Sequence, residues 1–565
     1  MASGQWANKM RASLLVGAWM HMLAVVMAFR HAPASLRLPP RPSAVCGLRG
    51  HAIESGSPAP QHRRVLVVGA GWGGLGAAWH LCQQEGVKVT LIDAAPKVGG
   101  LIRDGFATKN GKPCEAGMHG FWDEYHNIFK LVDEELQLKD VFTDYALQGQ
   151  YSPRGLEAVW PIYRNQRQLP TGMGQALFTR FTNLPATELA TAVPLVAAFS
   201  EMLTSEEAYD RFDRMSFEDL CKRMGVSRRL YDEVFEPMIL TGLFAPGAQC
   251  SAAAALGMAY FFVLKSQTSF DVRWCRGNVG EKIFRPWVER MEALGVELRP
   301  NTRITDLLVD PANASQLRGV ALSDGSEVTA DEVILGIGCN AMRNLVRSSP
   351  TLASSSEEFA KMADLRGTDC MATRLWFDKV VDLPYSANPA WGFDKGVGMT
   401  FFDLRSIQEG THDSEPGSVV EVDFYHAGKL LGMTDDAIVA KVHDNLGTML
   451  PAFKSATVTD SAVVRIPGGV TWFFPGSHAL LPQGRSGAFR NLHYVGDYVR
   501  SSHGSWSQEK AYVTGMQAAN AVMDKRVCDI TELKAAEPHV AAGSGVVAAV
   551  RTLLPFLPWI PDFLL

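Results

Sequence analysis

RVLVVGAGWGGLGAAWHLCQQEGVKVTLIDAAPKVGG, residues 64–100, begins with an apolar, β-branched run at 65–68 that has the length and composition of a buried strand. Gly69, Gly71 and Gly74 follow in G-x-G-x-x-G spacing, with Ala70, Trp72 and Gly73 between them. A helix rich in alanine and leucine comes next, and a second apolar run, 87–92, ends at Asp93. The pattern predicts strand, tight turn, helix and strand. The first glycine permits the turn, the second lets backbone approach a pyrophosphate, and the third lets helix pack on sheet. The helix amino terminus then faces the phosphates. Asp93, about 20 residues on, is placed to accept from a ribose hydroxyl pair. A bare glycine motif is weak; flanking strands, helix and spaced acid together make a dinucleotide site.

Working outward, 565 residues exceed what one hydrophobic core supports, so at least two interleaved domains are expected. Hydrophobic content of 47% and charged content of 20% are those of a globular protein. A net charge of −5 without a concentrated basic face gives no nucleic-acid partner. Nine cysteines occur singly, with no C-x-x-C pair, which argues against a disulfide framework or a thiolate metal site and suits a reducing compartment.

Residues 1–62 differ from the rest. Lys9, Arg11, Arg30, Arg37, Arg41 and Arg49 stand against one acid, Glu54. The apolar run 14–29 fits a signal core better than a membrane span, which needs about 20 apolar residues. A signal-like core followed by a basic, acid-poor segment resembles the two-part presequence of algae with secondary plastids. A cleaved targeting peptide and a plastid destination are therefore expected; an anchoring helix or a mitochondrial presequence is the alternative.

Downstream, the paired Gly99 and Gly100 precede Glu115-Ala-Gly117-Met-His119-Gly-Phe121. The opening glycine motif, the acid closing the second strand, V-G-G and E-x-G-x-H-x-F together resemble the FAD-binding, amine-oxidase-type flavoproteins. The likeness is greatest to the plant and cyanobacterial carotene desaturases, phytoene and zeta-carotene desaturase among them. It implies that Gly99, Gly100, Gly117 and His119 lie beside the flavin. The family carries Arg or Lys after the paired glycines; this chain has Leu101, and Arg103 is the candidate replacement toward the pyrophosphate.

The closing segment 491–523, NLHYVGDYVRSSHGSWSQEKAYVTGMQAANAVM, resembles the family's A-G-D-Y and S-M-E-G-A elements. Gly496, Asp497, Tyr498, Ser507, Glu509, Ala511 and Gly515 match. The likeness implies a carboxylate at Asp497 for the ribityl or pyrophosphate region. It also implies a helix from Glu509 to Met523 whose amino end stabilises negative charge on reduced flavin. Lys510 replaces the family's glycine, and it either points at the isoalloxazine or turns outward. Between these ends, 296–304 resembles the strand that meets the adenine, with Ile304 as the contact.

Together these readings predict an α/β protein. A discontinuous Rossmann-type FAD-binding domain (63–165, 275–340 and 480–527) accepts an inserted α+β substrate or cap domain (166–274 and 341–479). An apolar tail, 528–565, holds prolines at 555, 558 and 561 that forbid a continuous helix, and it suggests docking on a membrane surface or a partner groove, with folding back onto the parent domain as the alternative. Helical periodicity runs through 128–136, 189–203 and 217–244, with a capping box at Ser216 and Asp219. Strands are predicted at 371–379, 398–404 and 418–426, and 317–337 reads as a hairpin turning near Asp324-Gly325 that leads into an apolar strand. Pro194 interrupts the stretch 189–203, and the resemblance makes the aromatic run Tyr260-Phe261-Phe262 a candidate tunnel lining, with ordinary core as the alternative.

The resemblance implies an FAD-dependent oxidoreductase that desaturates a long apolar isoprenoid, a carotenoid, and passes electrons to a membrane quinone. A redox-neutral carotenoid isomerase or hydratase, an amine oxidase and a non-catalytic flavoprotein are the alternatives. No catalytic residue is assigned by sequence, because the flavin carries the hard step.

Overall fold

In the computed structural model residues 62–533 are described, apart from 170, 171, 173, 204, 350, 351, 353, 354 and 505. Residues 1–61, nearly all of the presequence expected over 1–62, and residues 534–565, most of the apolar tail expected over 528–565, lie outside the described residues.

The glycine unit folds as its pattern predicts, into β1 (Arg63–Val68), α1 (Trp72–Cys82) and β2 (Val87–Ile92). Three later segments join the same sheet: β3 (Glu297–Arg299), β4 (Glu332–Leu335) and β5 (Leu492–Tyr494). All five run parallel in the order β3-β2-β1-β4-β5. This is the doubly wound Rossmann arrangement, and the crevice falls where β1 and β4 lead off in opposite directions. Apolar burial explains the strand composition: Val67, Val333, Ile334 and Leu335 are wholly buried, as parallel strands covered on both faces require.

The turn after β1 has no slack. Gly69 adopts φ +100°, and a β-carbon on Gly74 would lie 1.8 Å from the Gly69 carbonyl oxygen. A second helix, α2 (Gln508–Met523), lies against α1. A β-carbon on Gly515 would sit 2.2 Å from the Gly73 carbonyl oxygen, so the two backbones touch there.

A separate eight-stranded sheet has the order Val458–Thr471, Gly367–Phe377, Val419–Tyr425, Gly398–Asp403, Ala387–Ala390, Gln148–Ser152, Gly155–Trp160, Arg180–Phe181. The three strands predicted between 371 and 426 are all present. Gln148–Ser152 and Gly155–Trp160 lie within the stretch assigned by sequence to the nucleotide domain, yet they hydrogen-bond into this sheet. Side chains alternate along its strands. Met371, Leu375, Phe401, Val420, Val422 and Phe424 pack with Ile438, Val442 and Leu446 of the helix Asp435–Met449. The opposite face, with Ala372, Thr400, Asp423 and Tyr425, looks into a cavity.

Local readings fared unevenly. Ser216 caps its helix by accepting from the Asp219 amide at 3.1 Å. The helical stretch expected over 217–244 is broken at 224–227 into shorter segments. The stretch 189–203 is interrupted as expected, at 191–192, and Pro194 sits in the first turn of the helix Val193–Met202, where a missing N–H costs nothing. The strand expected over 296–304 ends at Arg299, and Ile304 starts a different, three-stranded antiparallel sheet, paired with Leu322. The hairpin at 324–325 in that sheet forms as expected, with Gly325 at φ +85°.

A Gly515→Val substitution drives a side chain into the Gly73 carbonyl. A loss of about 2–4 kcal/mol of stability is expected, measured as a lower midpoint in chemical denaturation; an unchanged midpoint would mean that α1 and α2 do not touch as described.

Candidate functional site

The turn, the helix α2 and the segment around Gly117 converge on one long cavity. Gly71, Trp72 and Gly73 line it from the amino end of α1, and Gly99 and Gly100 close over them. Gly71 is the N-cap of α1 in extended backbone and offers no side chain to the first-turn amides. Those N–H groups are left to an anion. A β-carbon on Gly100 would stand 3.2 Å from the Gly71 α-carbon, so the two glycines make a narrow backbone cradle. Gly117, His119, Gly496, Asp497 and Ala511 line the same cavity further along. These residues come from positions more than 400 apart in the chain.

What joins the ends is a bridge that sequence reasoning missed. Trp72 Nε1 donates to Gln508 Oε1 at 3.0 Å, and Gln508 Nε2 donates to the Gly120 carbonyl at 3.0 Å. One amide at the start of α2 thereby ties together the phosphate turn and the segment after Glu115. The signal was present as a polar residue where the family's S-M-E-G-A element has Met, but its partners are distant in sequence.

Other expected site residues lie away from the cavity lining. Asp93 is half-buried at the end of β2, where its carboxylate accepts from the Ala70 amide at 2.6 Å and the Ala95 amide at 2.7 Å. Its backbone is held by Arg299 and Thr302, so the loop before Ile304, not Ile304 itself, adjoins it. Arg103 turns back on its own loop, donating to the Gly100 carbonyl at 3.1 Å and lying over the Phe106 ring. Gly69, Ala70 and Gly74 shape the turn from behind.

Glu509 points the other way. It is wholly buried and accepts from Asn127 N and Nδ2, both at 2.8 Å, and from Ile128 N at 3.0 Å. Its carboxylate thus caps the helix His126–Lys130. Lys510 does neither of the two things weighed from sequence. It is buried, off the cavity, and faces Asp497. Desolvation lowers its ammonium to a pKa of about 8, against the pull of Asp497. Burial in turn raises the Asp497 carboxyl, opposed by Lys510 and by the hydrogen bond that Trp506 Nε1 donates to it.

His119 Nδ1 donates to the Gly117 carbonyl at 3.1 Å, and burial holds the imidazole near pKa 4, so it is neutral at ordinary pH. Behind it, Glu115 is fixed by the Val279 amide at 2.9 Å and lies 4.0 Å from Arg374, which also pairs with Glu421. Desolvation pushes Glu115 up to about 8, and Arg374 opposes the rise. This buried cluster pins the Gly117 segment to the second sheet.

The remaining walls are apolar. Trp122, Trp160, Met238, Phe244, Phe262 and Phe270 line them. Phe262 confirms one member of the aromatic run at 260–262 as lining; Tyr260 instead stacks on Phe199 and Phe261 is buried in the core.

The family model for flavin containing amine oxidoreductases matches residues 72–523. The chain belongs to that family. The 15-cis-phytoene desaturase of Solanum lycopersicum is 24% identical over 489 residues, 83% of this chain and 79% of that protein. The zeta-carotene desaturase of Synechocystis is 20% identical over 488 residues, 81% of this chain and 97% of that protein. Among solved structures, cyclohexylamine oxidase from Brevibacterium oxydans superposes with a TM-score of 0.61 at 15% identity, covering 82% of this chain and 99% of the other. That likeness bears on the fold.

This flavoprotein is an FAD-dependent oxidoreductase. Its residues fit the cofactor on structural grounds. An uncapped helix amino end meets a two-glycine cradle. The amino end of α2, with Ser507, Gln508 and Ala511, reaches the cavity beyond them.

Lys510 gives a test by pH. Its folded pKa, about 8, is below the ordinary 10.5. Between those values the unfolded chain holds a proton that the folded chain has released, so stability rises with pH across that window. The melting temperature of wild type minus that of Lys510→Met is expected to increase from about pH 8 toward pH 10; a flat difference would place Lys510 in water.

Proposed function

We propose that this flavoprotein desaturates a long apolar isoprenoid, a carotenoid. The observation that carries the reading is the cavity itself: beyond the glycine cradle it continues between rings and thioethers, Trp122, Trp160, Phe262, Phe270 and Met238 among them. A polyene offers only dispersion and hydrophobic contact, which such walls supply. The desaturase relatives support the same substrate class.

Bound FAD supplies the acceptor for a hydride from an allylic carbon. The protein's part is to hold the chain at reacting distance and keep water out. The phosphate cradle and Asp93 would bind the nucleotide end. Gly117, the neutral His119 and Asp497 would border the flavin, and Gln508 would fix the turn and α2 at one spacing. An amine oxidase is less well supported. Phe244 packs edge-on against Tyr425 at 4.7 Å and against Trp506 at 5.0 Å, so these rings fill space on each other rather than facing across a gap for an amine.

Electrons then pass to a membrane quinone, and the protein docks on the membrane surface. Among the described residues no helix is long and apolar enough to cross a membrane. The basic, acid-poor composition of 1–62 and the chloroplastic relatives support a plastid destination.

Expression of residues 63–565 in bacteria that accumulate different carotenes, followed by chromatography of the pigments, tests the reading. A product with more conjugated double bonds is expected in at least one strain. Unchanged pigment in every strain would overturn it.

A further inference from the structure

The cavity is not uniformly apolar. Strand register lines up a polar row across the floor of the second sheet. Asp423 pairs with Thr400, and Thr400 pairs with Pro389. Ala387 pairs with Gln148 and Ala390 with Tyr151, which puts Gln150 beside Pro389. Gln150, Thr400 and Asp423 all line the cavity and are 2%, 3% and 6% exposed. Across four strands the row is about 14 Å long.

These groups are incompletely partnered. Gln150 Nε2 donates to the Glu233 carbonyl at 2.9 Å, but its Oε1 has no hydrogen-bond partner among the described residues. Asp423 Oδ2 accepts from the Met118 amide at 2.9 Å, and its Oδ1 likewise lacks one. Burial, reinforced by the neighbouring Glu421, drives the Asp423 carboxyl well above the usual carboxylate range. That rise favours the protonated acid, whose O–H can donate. An unsatisfied buried polar group carries a desolvation cost that nothing offsets. A pure hydrocarbon in this cavity leaves that cost in place, whereas a hydroxyl or carbonyl oxygen removes it.

We infer that the substrate is an oxygenated isoprenoid, with a hydroxyl or oxo group seated on the row Gln150, Thr400 and Asp423. The inference rests on the isoprenoid reading above and narrows it. The Gln150 carbonyl accepts from a substrate hydroxyl, and the Asp423 O–H donates to a substrate oxygen. These are binding roles, and no bond is made or broken on either side chain. The pattern was faintly legible in the sequence: residues 420–425 read V-E-V-D-F-Y, placing Glu421, Asp423 and Tyr425 on one face of a strand whose other face is core.

The test uses the full-length, FAD-loaded protein in detergent micelles and two matched probe pairs: lycopene with its 1-hydroxy derivative, and β-carotene with its 3,3′-dihydroxy derivative. Affinities are read by absorbance titration on wild type, Asp423→Leu, Asp423→Asn and Gln150→Leu, with retained flavin as the check on folding. In at least one pair the hydroxylated member is expected to bind wild type at least tenfold more tightly. That preference should shrink in Asp423→Leu and in Gln150→Leu, and persist in Asp423→Asn, whose amide still donates. Equal or tighter binding of both hydrocarbons would overturn the inference and leave the isoprenoid reading standing. No binding of any probe would overturn both. An Asp423→Leu variant with a displaced flavin spectrum and an intact preference would assign Asp423 to the cofactor and overturn its role here.

Discussion

Two helices that begin more than 400 residues apart in the chain meet backbone to backbone. A β-carbon at 515 would have 2.2 Å to the Gly73 carbonyl, and one at 76 would have 2.8 Å to the Tyr512 ring. No side chain fits between them, so the amino end of α2 is carried to the phosphate turn at one fixed spacing. The rest of the site follows. Gln508 reaches both Trp72 and Gly120, Glu509 caps the helix that begins at His126, and Asp497 lies at the end of the strand that feeds α2. The cavity is what remains between these tied elements.

The second sheet is tied to the first unit by a buried polar cluster as well as by apolar burial. Glu115, Arg374 and Glu421 are all nearly inaccessible, and removing one member of such a cluster leaves an uncompensated charge in a low dielectric. That makes the position of the Gly117 segment costly to alter. It also places Asp423, one strand position beyond Glu421 on the same face, directly against Gly117. The polar row on the cavity floor and the structural ion cluster thus meet on Val419–Tyr425, through Asp423 and Glu421.

The glycine unit was fully legible because its reasons are local: turn geometry, β-branched strands and an acid at fixed spacing. The parallel strand after the hairpin at 324–325 and the helix beginning near Glu509 were legible on the same grounds. Glu509 and Lys510 were not, because adjacent positions on a helix face different neighbours. One caps a helix nearly 400 residues upstream, while the other is drawn toward Asp497. Ile304 was misplaced by one element, since the chain leaves the sheet at Arg299 and only then enters the antiparallel strands. Gln508, Gln150 and Asp423 went unnoticed because their meaning lies in cross-strand register and in contacts between segments far apart in sequence.

The central claim is that the turn at Gly71 and the start of α2 are joined through Gln508 around one FAD. Titrating the apoprotein with FAD, for wild type and for Gln508→Ala, tests it most directly. One FAD per chain is expected in wild type, with at least a tenfold loss of affinity in the variant at unchanged fold. Folded wild-type protein that takes up no FAD, or a variant that binds it equally well, would contradict the account.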